Sequence, residues 1–443
     1  MFDAKAFFVY RQWHYESCGK LMNKPINKKT QNSKPIDDLT GIEVNDDFER
    51  FEQKFDIYCR AMWDPQIKSE KSDKFFEGYY MPYAKARKTD GFSQKDYAFR
   101  NAAWHVNNVI RDIEKSGEFR KEKPNEIRKE GFWDYYTSHD EGWPEPYPYE
   151  SAAEATRDLK KVAGFCGVGD LGVCEYDERW MYKSIFSMQG NGQKPQEIPD
   201  DIPNVIVTLE PMDRELIKTV PSALSGAATG LGYTFDGVAI ITLAQYIRNM
   251  GYRAYATLND TALCIPLALQ AGLGEVGRHG MLINEKYGPR FRIGKIFTDM
   301  PLEINKPKKF GVQEFCTTCD RCAVACPPNA IPFDAPSDHV HSESNIKGVV
   351  KWTPSAEKCF KFWCNQNTDC IICIRSCPYN RDFSSLRHRL WLKLAKSPFK
   401  KLALKLDDLF MDRGRLKTSW WWRPELKKQD EAEAPKRKKK NKK

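Results

Sequence analysis

The run Cys316-Thr-Thr-Cys319-Asp-Arg-Cys322-Ala-Val-Ala-Cys326-Pro327 constrains this chain more than any other feature. It is the C-x2-C-x2-C-x3-C-P pattern of two-cluster ferredoxins. A second set follows, with Cys359 and then Cys370-Ile-Ile-Cys373-Ile-Arg-Ser-Cys377-Pro378. Three closely spaced thiolates wrap one corner of a cubane, while the fourth cysteine turns away to ligate the other cluster. On that logic Cys316, Cys319, Cys322 and Cys377 hold one [4Fe–4S] cluster. Cys326, Cys370 and Cys373 hold the second, with one ligand to find. Regular spacing would place it at position 367, which is Asn367. Cys359 and Cys364 are the upstream candidates, and Phe360, Phe362 and Trp363 stand ready to shield a cluster from water. A lone C-x2-C pair would also suit zinc. Two sets that each end in Cys-Pro favour clusters, and therefore a protein that moves electrons.

A cluster module of this kind needs only about 60 residues, so most of the 443-residue chain has another task. The length suffices for two or three domains with a substantial core. A hydrophobic share of 41% and an aromatic share of 13% indicate a folded globular protein. Of fourteen cysteines, eight are explained as ligands. Cys18, Cys59, Cys166, Cys174 and Cys264 are scattered, and Cys264 in its apolar run reads as a small buried hydrophobe. The net charge of +10 is concentrated at one end, because Lys436–Lys443 alone carries seven positive charges. Such a tail reads as a solvated end, with attraction to anionic lipid, nucleic acid or an acidic electron donor as the alternatives. No specific nucleic-acid partner is expected. The first residues show neither a twin-arginine pair nor an apolar signal core, and no run of about 18 apolar residues is evident. A cytoplasmic location is expected, if the tail does touch a membrane then peripheral to its inner face.

Along the chain, 1–45 reads as a poorly ordered segment and 46–150 as a helical region, with apolar residues every three or four positions from Phe48 to Tyr58. The span 151–309 alternates helix and strand: a helix over Ser151–Ala163, a buried strand from Asn204, a helix over Phe235–Met250, a strand near Tyr252 and a helix over Ala262–Ala271. This predicts an α/β (α+β) core. The cluster module occupies 310–385, an amphipathic section with Trp420-Trp-Trp422 occupies 386–425, and 426–443 is the basic tail. That amphipathic section either docks on the core or lies on a membrane surface. Gly272-Leu-Gly274-Glu-Val-Gly277 satisfies G-x-G-x-x-G but follows a helix rather than a strand, which argues against a dinucleotide fold. Gly272, Gly274 and Gly277 suit either close backbone approach to a large flat ligand or tight turns.

Several landmarks in one order carry a resemblance: Asn204-Val-Ile-Val; Tyr246-Ile-Arg-Asn-Met-Gly-Tyr; Ala271-Gly-Leu-Gly with Arg278; Tyr287-Gly-Pro-Arg-Phe-Arg; Lys295-Ile-Phe-Thr-Asp-Met-Pro-Leu; and Phe310-Gly-Val-Gln-Glu-Phe-Cys. The stretch from Asn204 to Asn380 resembles the corrinoid-dependent reductive dehalogenases. The spacing Cys359-x10-Cys370, with Trp363 between, also resembles that family's second cluster motif and favours Cys359 over Cys364. The resemblance implies a nitroreductase-like core that holds a cobalamin-type corrinoid base-off, followed by a ferredoxin-like module with two [4Fe–4S] clusters. It implies an organohalide substrate and, since no reductase section is attached, an external low-potential donor of ferredoxin or flavodoxin type. By position in the family pattern, Tyr233 is the proton donor, Arg278 its activator and Asn259 a polar group that orients substrate. A cation beside a phenol stabilises the phenolate and eases proton release. His279 reads as structural.

Two other classes compete. Epoxyqueuosine reductases also join a corrinoid to two clusters and would use a carboxylic acid donor, for which Asp260 is the candidate. Against that class, no helical-repeat domain for tRNA is visible. A pure electron-transfer subunit would bind no corrinoid at all.

Overall fold

Burial on both faces along Asn204–Pro211 organises the centre of the molecule. Val205, Val207 and Leu209 point to one side, where Trp180, Leu267, Leu269 and Phe297 meet them. Ile206 points to the other side and packs with Leu159, Ile240, Leu243 and Ile296. A strand that is apolar on both faces has to be covered on both. The computed structural model describes residues 42–79, 86–115, 140–186, 193–195, 198–411 and 413–430. Expectations for residues 1–41, Cys18 among them, and for the basic end at 431–443 lie outside the described residues.

Helices α1 (Ile57–Trp63), α2 (Glu70–Glu77) and α3 (Gln94–Lys115) precede the core. The apolar period from Phe48 to Phe55 does not make a helix. Apart from a single 3-10 turn at Gln53–Phe55 the stretch is irregular, because Phe48 and Phe51 pack on the rings of Trp180 and Tyr182. The end of the N-terminal segment is also tied down, since Glu43–Val44 pairs with Val349–Val350 of the cysteine-rich region.

The core runs α4 (Ala152–Phe165), β1 (Asp170–Glu175), β2 (Asn204–Pro211), α5 (Ala223–Asn249), β3 (Ala254–Thr257), α6 (Cys264–Gln270), β4 (Glu275–Val276), β5 (Leu282–Ile283) and β6 (Phe291–Thr298). The main sheet has the order β1–β2–β6–β3, with every neighbouring pair antiparallel. Strand β6 has no counterpart among the sequence expectations. Its Arg292, Gly294 and Lys295 interrupt the apolar pattern that would have announced a buried strand.

Helix α5 begins at Ala223, well before the expected Phe235, with the Ser222 hydroxyl accepting from Ser225 N at its start. Its glycines admit bulky neighbours. A Cβ at Gly230 would stand 2.6 Å from the Trp104 ring, and one at Gly232 would stand 2.9 Å from Arg292 Cγ. Contrary to the sequence expectation, α5 is long and apolar enough to cross a membrane. However, 67% of its most apolar window is buried inside the protein, as in the core helix of a globular domain.

The cysteine-rich region adds α7 (Ala356–Gln366), and the C-terminal section adds α8 (Leu386–Ala395) and α9 (Lys400–Phe410). That section docks on protein. Trp391 is buried with its ring centroid 5.6 Å from Phe315 and 5.4 Å from Tyr379. Trp421 stacks on Phe99, and Trp422 Nε1 donates to Asp96 Oδ1 at 2.9 Å.

Candidate active site and metal centres

Burial pushes the thiols of Cys316, Cys319, Cys322, Cys359, Cys370, Cys373 and Cys377 up, and the neighbouring thiols felt by several of them sort the cysteines into two sets. Cys316 feels Cys319 and Cys322, while Cys377 feels Cys316, Cys322 and Cys319. Cys359 feels Cys370 and Cys326, while Cys373 feels Cys370, Cys359, Cys322 and Cys326. The chain thus gathers Cys316, Cys319, Cys322 and Cys377 in one place and Cys326, Cys359, Cys370 and Cys373 in another. Cys322 and Cys373 adjoin across the gap. No three metal-binding side chains among the described residues converge on a point as they would for a single ion. The thiolates of a cubane bind different irons and stand farther apart than that.

Helix α7 decides between the two upstream cysteines. Cys359 and Cys364 are five positions apart on a helix and therefore face different sides. Cys364 is buried in an apolar cluster with Ala61, Phe75 and Phe360. Asn367 ends the helix with a left-handed φ of 59°, which turns the chain back toward Cys370. Cys359→Ser is expected to remove about half of whatever iron the two cysteine sets bind together. Cys364→Ala is expected to keep all of it and to cost about 1 kcal/mol of stability. Iron analysis beside a denaturation curve separates the two.

Arg278 is not where the family pattern implied. It lies in the β4–β5 hairpin, and the residue is 5% exposed. Nε donates to Cys319 O at 3.0 Å and Nη2 to Cys316 O at 2.8 Å. Nη1 reaches Pro332 O, Phe333 O and Asp334 O at 2.8–3.0 Å. All three guanidinium nitrogens are engaged by main-chain carbonyls, and no phenol is among the partners. Arg278 braces the first cysteine set against the core. His279 beside it is buried, its Nδ1 accepts from Met281 N, and burial lowers it to about 4. That is a neutral imidazole in a structural setting.

The cation at Tyr233 is instead Arg292 of β6. Its guanidinium lies 4.7 Å from the Tyr233 ring centroid, with Nη1 at 3.4 Å from the hydroxyl. Asn259 Nδ2 donates to the same hydroxyl at 2.5 Å, and the Trp104 ring lies 5.1 Å from the Tyr233 ring. Tyr233 comes from α5, Arg292 from the sheet beneath it, and Asn259 from the turn after β3. That turn is strained, because Thr261 holds a φ of 72°, unusual for a β-branched residue.

Asn259 also lines a cavity of about 360 Å³ at the junction of the N-terminal helices, the core and the cysteine module. Trp180, Leu263, Ile265 and Val349 make apolar walls, and Asp260 and Tyr58 add polar atoms. Asp260 is buried and accepts from Gln53 Nε2 at 2.8 Å. At the back of the wall, the fully buried Lys295 Nζ meets Cys264 Sγ at 3.0 Å and also donates to Leu258 O. Cys264, expected as a plain buried hydrophobe, is therefore half-buried and hydrogen-bonded.

Residues 189–302 match a family model described as the reductive dehalogenase subunit, a window that contains Tyr233, Asn259, Arg278 and Arg292 but none of the cluster cysteines. A tetrachloroethene reductive dehalogenase of Desulfitobacterium hafniense is 35% identical over 278 residues, which is 53% of this chain and 50% of that protein. Over residues 189–302 the chain is thus similar to the reductive dehalogenases. It spans about half the length of the curated relatives it matches. A solved reductive dehalogenase, described as suggesting a mechanism for B12-dependent dehalogenation, superposes with a TM-score of 0.63 at 22% identity over 85% of this chain and 48% of that one. The two share a fold, which in this chain is an α+β core followed by a cysteine-rich, ferredoxin-like region. An epoxyqueuosine reductase of Aliivibrio fischeri is 29% identical over 146 residues, covering 32% of this chain and 36% of that protein.

Within the matched stretch, the Gly272–Gly277 motif packs against the chain itself. A Cβ at Gly272 would meet Lys306 O at 2.4 Å, one at Gly274 would meet Ile283 O at 2.3 Å, and one at Gly277 would meet Ile283 Cδ1 at 2.7 Å. These glycines let β4 and β5 form a tight hairpin under neighbouring backbone, the tight-turn alternative of the sequence reading. Arg292 could have been noticed in the sequence. It is a charge in the middle of a segment otherwise suited to a buried strand, which is where a functional side chain disturbs a regular pattern.

Proposed function

We propose that the chain is a corrinoid- and iron–sulfur-dependent reductase that removes halide from an organohalide. The observation that carries this reading is the Tyr233 hydroxyl, held by Asn259 and faced by Arg292 beside a cavity that the core and the cysteine module share. The largely apolar walls of the cavity suit the face of a flat macrocycle such as a base-off corrinoid, and no histidine is among the described residues that line it to serve as a lower ligand. When bound, the corrinoid supplies a strongly reducing cobalt centre for cleaving the carbon–halogen bond.

The chain's own residues account for the proton. The reaction R–X + 2e⁻ + H⁺ → R–H + X⁻ needs one proton at carbon for each halide released. Asn259 donates to the Tyr233 oxygen, so the phenolic hydrogen is left free to be given away. The same donor and the Arg292 charge stabilise the phenolate that forms. Two [4Fe–4S] clusters on the two cysteine sets pass the electrons, since Cys322 and Cys373 adjoin and make the sets neighbours. An external, cytoplasmic low-potential donor of ferredoxin or flavodoxin type refills them. Asp260, the donor required by the epoxyqueuosine reading, is bound to Gln53 instead of facing the cavity alone.

The testing experiment is anaerobic purification after expression with cobalamin, followed by metal analysis and halide release from an organohalide panel. About eight iron and one cobalt per chain are expected, together with released halide. Eight iron without cobalt would overturn the proposal in favour of an electron-transfer subunit.

A further inference from the structure

Tyr233 has a buried acid behind it that the chemistry above does not use. Asp236 follows Tyr233 by one turn on α5 and is 1% exposed. Its Oδ1 accepts from the Thr208 hydroxyl of β2 at 3.2 Å. The carboxyl fits only because β6 carries a glycine beneath it, where a Cβ at Gly294 would stand 2.6 Å from Asp236 Oδ1. Gly294 and Arg292 are two apart on one strand and share a face of the sheet. Glu210 is directly opposite Arg292 in the register, on that same face. Asp236, Arg292 and Glu210 thus lie together under α5.

Two atoms in this group are unsatisfied. Asp236 Oδ2 and Arg292 Nε are both buried without a hydrogen-bond partner among the described residues. One is an acceptor and the other a donor. The contacts Arg292 does make, to Tyr233 Oη, Thr229 Oγ1 and Met212 Sδ, are to neutral groups at 3.4–3.5 Å. A guanidinium whose acceptors are all neutral and distant will move to a carboxylate when one is offered.

We propose that Asp236 is a positioning residue for the proton donor: as an acid it leaves Arg292 to Tyr233, and as a carboxylate it draws Arg292 away through Nε. The inference rests on Arg292 serving Tyr233, as argued above. Burial pushes Asp236 up to about 7, against the pull of the Thr208 hydroxyl and then of Lys295 and Arg292. Burial, and then Asp236, push Glu210 up to about 8. Around neutral pH Glu210 therefore stays largely protonated and competes little for Arg292. Of the other charges nearby, Lys295 is on the opposite sheet face with Cys264, and Arg100 of α3 packs at Gly226 and Tyr79.

The test labels tyrosine Cζ with ¹³C in the full chain and follows the Tyr233 resonance with pH, assigned by its loss in Tyr233→Phe. Wild type is expected to show an inflection near 7 that is separate from phenol ionisation. Asp236→Asn should abolish it. Thr208→Val removes the hydroxyl that favours the carboxylate, so it should move the inflection upward by about half a unit or more. The conservative Thr208 variant keeps the test informative should Asp236→Asn fold poorly. An inflection unchanged in both variants, or none in wild type, would overturn the proposal. No turnover or corrinoid enters this readout. Activity retained in Tyr233→Phe would sink the donor assignment alone and leave the titration result standing.

Discussion

Tyr233→Phe is expected to lower reductive turnover by about 10²–10⁴-fold, the range contributed by a positioned general acid. Cluster iron, cobalt content and thermal stability should stay at wild-type levels. The ring, with its packing on Trp104 and its place over the Arg292 guanidinium, is kept, and only the hydroxyl held by Asn259 is lost. Asn259 is exposed, so its amide can turn to water when the phenol oxygen is gone. Arg292→Met should act in the same direction and to a smaller degree, because it weakens the donor without removing it. Single-turnover halide release from the reduced enzyme is the measurement that isolates this step. Wild-type rates in Tyr233→Phe would exclude the tyrosine as donor and return attention to Asp260.

Arg278→Met is expected to do something different. Five carbonyl oxygens, from Cys316, Cys319, Pro332, Phe333 and Asp334, would lose their donor at once. A buried hydrogen bond to a charged group contributes roughly 1.5–3 kcal/mol, and such losses are not additive. A net cost on the order of 4 kcal/mol is reasonable for breaking the set. Because two of those carbonyls belong to cluster cysteines, iron at the first set should fall before the core unfolds. Lysine should rescue little, since a single ammonium cannot span that arc of acceptors. The pair of variants therefore separates the two arginines. Arg278→Met loses iron and stability, whereas Arg292→Met keeps both and loses rate. The reverse pattern would restore Arg278 to the proton donor.

The failure of sequence reasoning at Arg278 has a definite cause. Arg278 follows a glycine-rich motif and is conspicuous, while Arg292 sits 59 residues from Tyr233 in a strand whose polar residues hide it. The same holds for the glycines. Composition at Gly272–Gly277 announces close approach but not to what, and the neighbours turned out to be Lys306 and Ile283. Helix α5 was half legible. Its apolar second half follows a clear period, but the Gly- and Ala-rich first half reads as loop until α3 is packed against it, with the Thr234 hydroxyl donating to Ala103 O.

By itself the sequence determined which cysteines can surround a cubane, since ligand spacing within a few residues is a property of the local chain. It also determined the buried strand β2 and the helix α4, which depend on side chains two to four residues apart. Only the tertiary structure decided which arginine meets Tyr233, that Cys359 rather than Cys364 faces the second cysteine set, and that Asp236 lies beside Arg292. Those pairings depend on sheet register, on the rotation of a helix about its axis and on the crossing of α5 over β6. Each is set by packing of the whole core, and no short segment of the chain contains it.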